Sequence, residues 1–113
     1  METKHAVHAL AALAHEGRLN AFRLLVRAGG RGMAAGELAR RLEMKPNTLT
    51  GAVNALAHAG LIDSRREGRS VIYFVRYPDM TGLLQFLMED CCAGSPAICA
   101  PLAEIALVGD CKD

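Results

Sequence analysis

The sequence predicts a mainly α fold carrying one β-hairpin, an α+β domain, and three observations predict it. Ala and Leu dominate a chain of 113 residues that has five aromatic residues and no Trp, a composition biased toward helix. Apolar residues recur every three or four positions in five separate segments, the spacing that puts them on one side of a helix. A sixth segment, residues 61–77, switches to β-branched and aromatic residues in period two. The length suits a single domain with a modest core.

Each element follows from its own residues. Residues 3–15, TKHAVHALAALAH, place Val7, Leu10, Ala11 and Ala14 on one stripe of a first helix. A second helix over 18–28 aligns Leu19, Phe22, Leu25 and Val26, and the GGRG run at 29–32 breaks it. A short third helix over 35–43 buries Leu38 and Leu42. Pro46 opens a fourth, because its fixed φ suits a first helical position. Leu49, Val53 and Leu56 form the buried stripe there, and Gly60 ends the helix. In 61–77, Val71, Tyr73 and Val75 alternate with Ile72, Phe74 and Arg76, and the polar SRREGRS between the two arms reads as a hairpin turn. Pro78 stops the second strand. Helical spacing then returns with Met80, Leu83, Leu84, Leu87 and Met88 in a fifth helix running toward Cys92. The expected division is an ordered domain over 1–92 and a C-terminal tail over 93–113.

The net charge of +1 conceals an asymmetry. Residues 1–35 hold five Lys/Arg against two acids, residues 36–77 seven against four, and residues 78–113 one against six. A basic body suggests a polyanionic partner, and the acidic tail faces elsewhere. No apolar run approaches the roughly 20 residues that cross a bilayer, and METKHAVHAL lacks a secretion-signal pattern. The expectation is a cytoplasmic protein without membrane association, in which cysteines stay reduced and serve as ligands or reactive groups. No acid–base pair or nucleophile constellation stands out, so an enzyme is not expected.

Two helices joined by a short turn and followed by a basic hairpin form the winged helix-turn-helix layout, whose second helix enters the major groove. With Leu49, Val53 and Leu56 facing the core, Lys45, Asn47, Thr48, Thr50, Gly51 and Asn54 become candidates for contact with double-stranded operator DNA. Asn pairs two ways with adenine, and Thr offers a hydroxyl or a methyl. On the hairpin, Arg65, Arg66 and Arg69 suit phosphate contacts or minor-groove insertion.

Residues 36–77, GELARRLEMKPNTLTGAVNALAHAGLIDSRREGRSVIYFVRY, resemble the DNA-binding core of the ArsR/SmtB family of metal-responsive repressors. The features that carry the likeness are ELARRL, TLT with the following V.AL..AGLI, and a basic wing leading into YF. The resemblance implies a homodimer built on the first and last helices, and autoregulated repression that a metal or metalloid relieves. Val7, Leu10, Leu83, Leu84 and Leu87 are the candidate dimer contacts. Pairing two apolar helix faces across a two-fold buries both, and two reading heads suit half-sites about 34–36 Å apart. The chain departs from the family pattern at Gly51 and Ala52, where a bulky polar pair is usual, and at Lys45, where a capping Ser is usual.

Three of the four cysteines fall in EDCCAGSPAIC, residues 89–99. Adjacent cysteines seldom bridge each other without strain, but soft thiolates can share one thiophilic ion. As(III) takes three sulfurs in a pyramid, and Cys91, Cys92 and Cys99 supply three; Sb(III) has the same appetite. Zinc wants four ligands in a tetrahedron, and the fourth cysteine, Cys111, lies far down the tail. The last helix lacks the HxxH or DxH pair of the family's interfacial zinc site, and the third helix lacks cysteine. CC…C tails occur in arsenic-responsive members of the family, which the resemblance extends to this chain. Glu89, Asp90 and the negative end of a helix disfavour thiolates here, favouring a ligand sensor over a redox sensor. A Cd-, Pb-, Zn- or methylarsenite-responsive repressor of the same fold stays open, as does a metalloid carrier that does not bind DNA. No organic cofactor is expected.

Overall fold

The computed structural model describes residues 1–88. The expected boundary at residue 92, the tail 93–113 and all four cysteines lie outside the described residues. The elements in chain order are α1 (Thr3–Leu13), α2 (Glu16–Ala28), a 3-10 turn (Gly29–Arg31), β1 (Met33–Ala34), α3 (Ala35–Leu42), α4 (Pro46–His58), β2 (Ile62–Glu67), β3 (Ser70–Val75) and α5 (Tyr77–Met88). Five helices and a hairpin therefore appear where the periodicity placed them.

One core joins these elements. Phe22 and Leu25 from α2, Leu38 from α3, Leu49, Val53 and Leu56 from α4, Ile62 and Val75 from the root of the hairpin and Leu83 from α5 are buried together. No polar or charged residue among those described is buried. Burying Leu, Ile and Val side chains contributes about 1.5–3 kcal/mol each. The α2–α4 packing at the centre therefore fixes where α4 can point.

α1 packs on its own chain through alanines, a face the periodicity did not single out. Its inward stripe is Ala6, Ala9 and Ala12, whereas Val7 and Leu10 are exposed. Alanine brings the helix backbone close to its neighbours, and the larger residues are turned outward. Between α1 and α2 the chain turns through a cap that periodicity does not reveal. His15 Nδ1 accepts from the amides of Gly17 at 3.1 Å and Arg18 at 3.3 Å, satisfying two of the donors a helix start leaves open. Arg18 reaches back: its Nε donates to the Ala12 carbonyl at 2.7 Å, placing a cation at the negative end of α1. Thus α2 starts at Glu16, two residues earlier than its apolar pattern, and Leu19 is left exposed.

The sheet is three-stranded, in the order β1-β3-β2, with both pairings antiparallel. β1 was not expected, because two residues carry no periodicity. It pairs Met33 with Tyr73 and Ala34 with Ile72. Gly32 makes this pairing possible: at φ 70° and ψ −163° it occupies a region open essentially to Gly alone. A Cβ there would collide with the Tyr73 carbonyl oxygen. The hairpin is also longer than SRREGRS suggested. Glu67 pairs with Ser70, so only Gly68 and Arg69 form the turn, with Gly68 at φ 64°. Polar residues on both faces of β2 beyond Ile62 hide its strand signal.

Leu83 is 4% exposed and belongs to its own chain's core. Its place among the dimer contacts is corrected: Leu83 is enclosed by its own chain, whereas Leu84 and Leu87 are exposed. Tyr77 ties the start of α5 to the end of α2, donating from its hydroxyl to the Val26 carbonyl at 3.1 Å.

Candidate nucleic-acid interface

The site is assembled from the α3–α4 turn, the outer face of α4 and the hairpin. α3 ends in a Schellman pattern: the Met44 amide donates to the Ala39 carbonyl at 2.9 Å and the Glu43 amide to that of Arg40 at 3.2 Å. Glu43 takes the left-handed conformation this requires, at φ 55°. Lys45 then enters α4 from an extended conformation, its carbonyl accepting from the Leu49 amide at 3.0 Å. Its side chain supplies no cap, and Pro46 at the first helical position removes one of the amides that a helix start leaves unpaired.

α4 buries Leu49, Ala52, Val53 and Leu56 and exposes Asn47, Thr48, Thr50, Gly51 and Asn54. The side chains of Lys45, Asn47, Thr48 and Asn54 make no hydrogen bond or ion pair among the described residues, so their donors and acceptors are available to a ligand. Thr50 is partly committed: its hydroxyl donates to the Pro46 carbonyl at 2.9 Å, leaving a methyl and an acceptor lone pair facing outward. Ala52 is buried and takes no part in this surface. Gly51 is exposed, and a Cβ added there meets nothing within 4 Å. The fold therefore imposes no requirement for Gly at this position.

The three arginines of the hairpin divide. Neighbours on a strand point to opposite faces, so Arg65 and Arg66 cannot serve one surface. Arg66 and Arg69 are exposed and unpaired among the described residues. Arg65 is held by its own chain. Its Nη2 donates to the Arg31 carbonyl at 2.6 Å, its Nε pairs with Glu67 Oε2 at 2.7 Å, and the guanidinium lies 5.4 Å from the centre of the Phe74 ring. Arg76 at the hairpin's root is likewise paired, with Asp79 at 2.8 Å and Asp63 at 3.8 Å.

Away from this surface, Val7 (59% exposed) and Leu10 (40%) on α1 and Leu84 (46%) and Leu87 (51%) on α5 present large apolar side chains to solvent. α1 and α5 contact each other directly. Among the described residues no three His, Cys, Asp or Glu side chains form a group that could hold a metal ion, and no helix is long and apolar enough to cross a membrane. Cys91, Cys92 and Cys99 lie outside the described residues.

A helix-turn-helix domain model matches residues 13–65. HlyU from Vibrio cholerae is similar at 32% identity over 77% of this chain and 97% of that one, with a TM-score of 0.61. The homodimeric winged helix-turn-helix DNA-binding domain Mb0332 of Mycobacterium bovis, described as a possible ArsR-family transcriptional regulator, is 27% identical over 77% of this chain and 81% of that one, at a TM-score of 0.62. An ArsR-like transcriptional regulator from Rhodococcus sp. RHA1 shares the fold over 96% of both chains, at 24% identity and a TM-score of 0.67. A comparison with curated proteins gives no match. With the helix pair, the hairpin and these likenesses together, the chain belongs to the ArsR family of winged helix-turn-helix transcriptional regulators.

Proposed function

We propose that the protein is a cytoplasmic, homodimeric repressor that binds its operator through α4 and the wing, and that As(III) or Sb(III), held by Cys91, Cys92 and Cys99, releases it. The observation that carries the DNA-binding part is the outer face of α4, where Lys45, Asn47, Thr48 and Asn54 hold polar groups that the fold leaves unused. Side chains of these types contact base edges and phosphates. Arg66 and Arg69 flank them with charge for the DNA backbone.

The dimer is supported by the exposed apolar face of α1 and α5 and by the homodimeric state of the Mb0332 domain. Val7, Leu10, Leu84 and Leu87 would meet their counterparts across a two-fold. The sensor part rests on the sequence: three thiols within nine residues, the first of them three positions after Met88. Arsenous acid exchanges its three hydroxyls for three thiols, releasing water. The ion induces only by binding the DNA-incompetent form more tightly, and a coupling of about 1–3 kcal/mol is typical of such pairs of sites.

A gel-shift titration with the protein's own promoter tests both parts. The wild type should bind and then dissociate as arsenite is added, whereas the Cys91→Ser, Cys92→Ser double variant should bind and stay bound. Release of that variant by arsenite would remove the cysteines from the mechanism. Parallel titrations with antimonite, methylarsenite, Cd(II), Pb(II) and Zn(II) rank the ligands. Thiol oxidation is a second reading, favoured by a related structure described as reduced HlyU, 27% identical over 80% of this chain. Release by a thiol oxidant but not by arsenite would select it.

A further inference from the structure

We propose that Arg65 is a positioning residue that straps the wing to the body of the domain, so that Arg66 and Arg69 are aimed at the DNA backbone without Arg65 touching it. The inference rests on the DNA-binding reading above and adds to it.

In the order β1-β3-β2, β2 lies at the edge, and among the described residues its one strand partner is β3. At the root of the hairpin, Ile62 and Val75 are anchored in the core. Farther out, Ile72 and Tyr73 of β3 still pack inward, but Ser64, Arg66, Glu67, Gly68, Arg69 and Ser70 are all exposed, so no apolar side chain of β2 or the turn beyond Ile62 helps to fix their direction. Arg65 is the exception on this outer stretch of β2. Its side chain runs from β2, paired with Ile72 of β3, to the 3-10 turn that precedes β1. There it donates to the carbonyls of Arg31 at 2.6 Å and Gly30 at 3.5 Å. Those carbonyls are the negative end of a helical turn, where a cation is favoured.

Glu67, on the same strand face, neutralises the guanidinium through Nε at 2.7 Å, and Phe74 lies beneath it at 5.4 Å. Three donors in a fixed fork are therefore used on three acceptors, which a lysine ammonium on a flexible stem cannot reproduce. Bonds to a charged donor are the stronger kind. The outer hairpin is thus bound at both sides: through β3 to β1, and through Arg65 to the turn that leads into β1. Because strand neighbours alternate, holding Arg65 against the body turns Arg66 to the opposite face. A wing that points correctly for only part of the time lowers apparent affinity by that fraction.

The strap and a phosphate contact differ in salt dependence, because each neutralised phosphate contributes about 0.9 to the slope of log K against log salt. Operator affinity is measured across a salt series for the wild type, Arg65→Ala, Arg65→Lys and Arg66→Ala. Amide hydrogen exchange over residues 63–74 is followed in the free proteins, and thermal melts confirm that each variant folds. Arg65→Ala should lose about tenfold in affinity at every salt concentration with the wild-type slope, and its hairpin amides should exchange faster. Arg65→Lys should fall between the two. Arg66→Ala should lower the slope by about 0.9. A slope reduction of that size in Arg65→Ala would make it a direct phosphate ligand and overturn the proposal. So would unchanged affinity or unchanged exchange. If the wild type does not bind DNA, the functional reading fails, while the exchange comparison still decides whether Arg65 restrains the hairpin.

Discussion

Single residues at the joints between elements hold more of this fold than their positions in the sequence suggest. Gly32 has no freedom to be another residue, since its backbone conformation excludes a side chain and the Tyr73 carbonyl occupies the space one would need. Gly32→Ala should therefore destabilise the protein by at least about 2–3 kcal/mol, read as a lowered midpoint in urea. An unchanged midpoint would mean that β1 does not pair with β3 as described. His15 caps α2 through a ring nitrogen, a role usually taken by Ser, Thr, Asp or Asn. His15→Ala should cost about 1 kcal/mol and His15→Asp should recover most of it. Neither role was legible from the residues: GGRG announces a break without saying which glycine is obligatory, and a lone His before EGR is not a conventional cap. The polar outer face of α4, by contrast, was readable in advance, because three buried residues at helical spacing fix which positions must point away.

At the scale of the element, α4 combines a firm inner face with an outer face the fold does not use. Gly51 shows this most clearly. An exposed Gly inside a helix costs about 0.5–1 kcal/mol relative to Ala, and open space surrounds its missing side chain. Gly51→Ala should thus raise stability by about that amount, a shift of several degrees in melting temperature. If α4 lies against DNA at this point, the same substitution should weaken operator binding. A more stable variant with undiminished binding would exclude close approach at Gly51. The hairpin shows the limit of pattern reading. Its apolar β3 arm has the period of a strand, but on β2 the residues from Asp63 to Glu67 are polar on both faces, and only the pairing register reveals six residues on each side. Three neighbouring arginines look alike in sequence. Which of them is retained by its own chain depends on where the 3-10 turn lies, and no local pattern encodes that.

For the whole molecule, large apolar side chains on α1 and α5 lie outside the core and face the same solvent. The sequence showed that both helices had apolar faces, but it did not separate the residues that close the chain's own core, such as Leu83, from those left over. Small residues make that separation in α1, where alanines pack inward and Val7 and Leu10 are displaced outward. Leu84→Lys with Leu87→Lys should yield a folded monomer by sedimentation, because each leucine loses about 1.5–3 kcal/mol of burial across the seam. That variant should also lose most of its operator affinity, since a monomer offers one reading head to two half-sites. A double variant that stays dimeric would move the interface elsewhere.

On the proposed function, the unused polar face of α4 and the wing grip a specific DNA sequence. The most direct test is fluorescence anisotropy of two labelled duplexes, the protein's own promoter and a scrambled copy, titrated with the intact protein across a salt series. The promoter should bind at least about a thousandfold more tightly than the scrambled duplex, with both affinities falling steeply as salt rises and the preference lost in Asn47→Ala with Asn54→Ala. Equal affinity for the two duplexes, or a preference that survives the loss of both asparagines, would contradict that function.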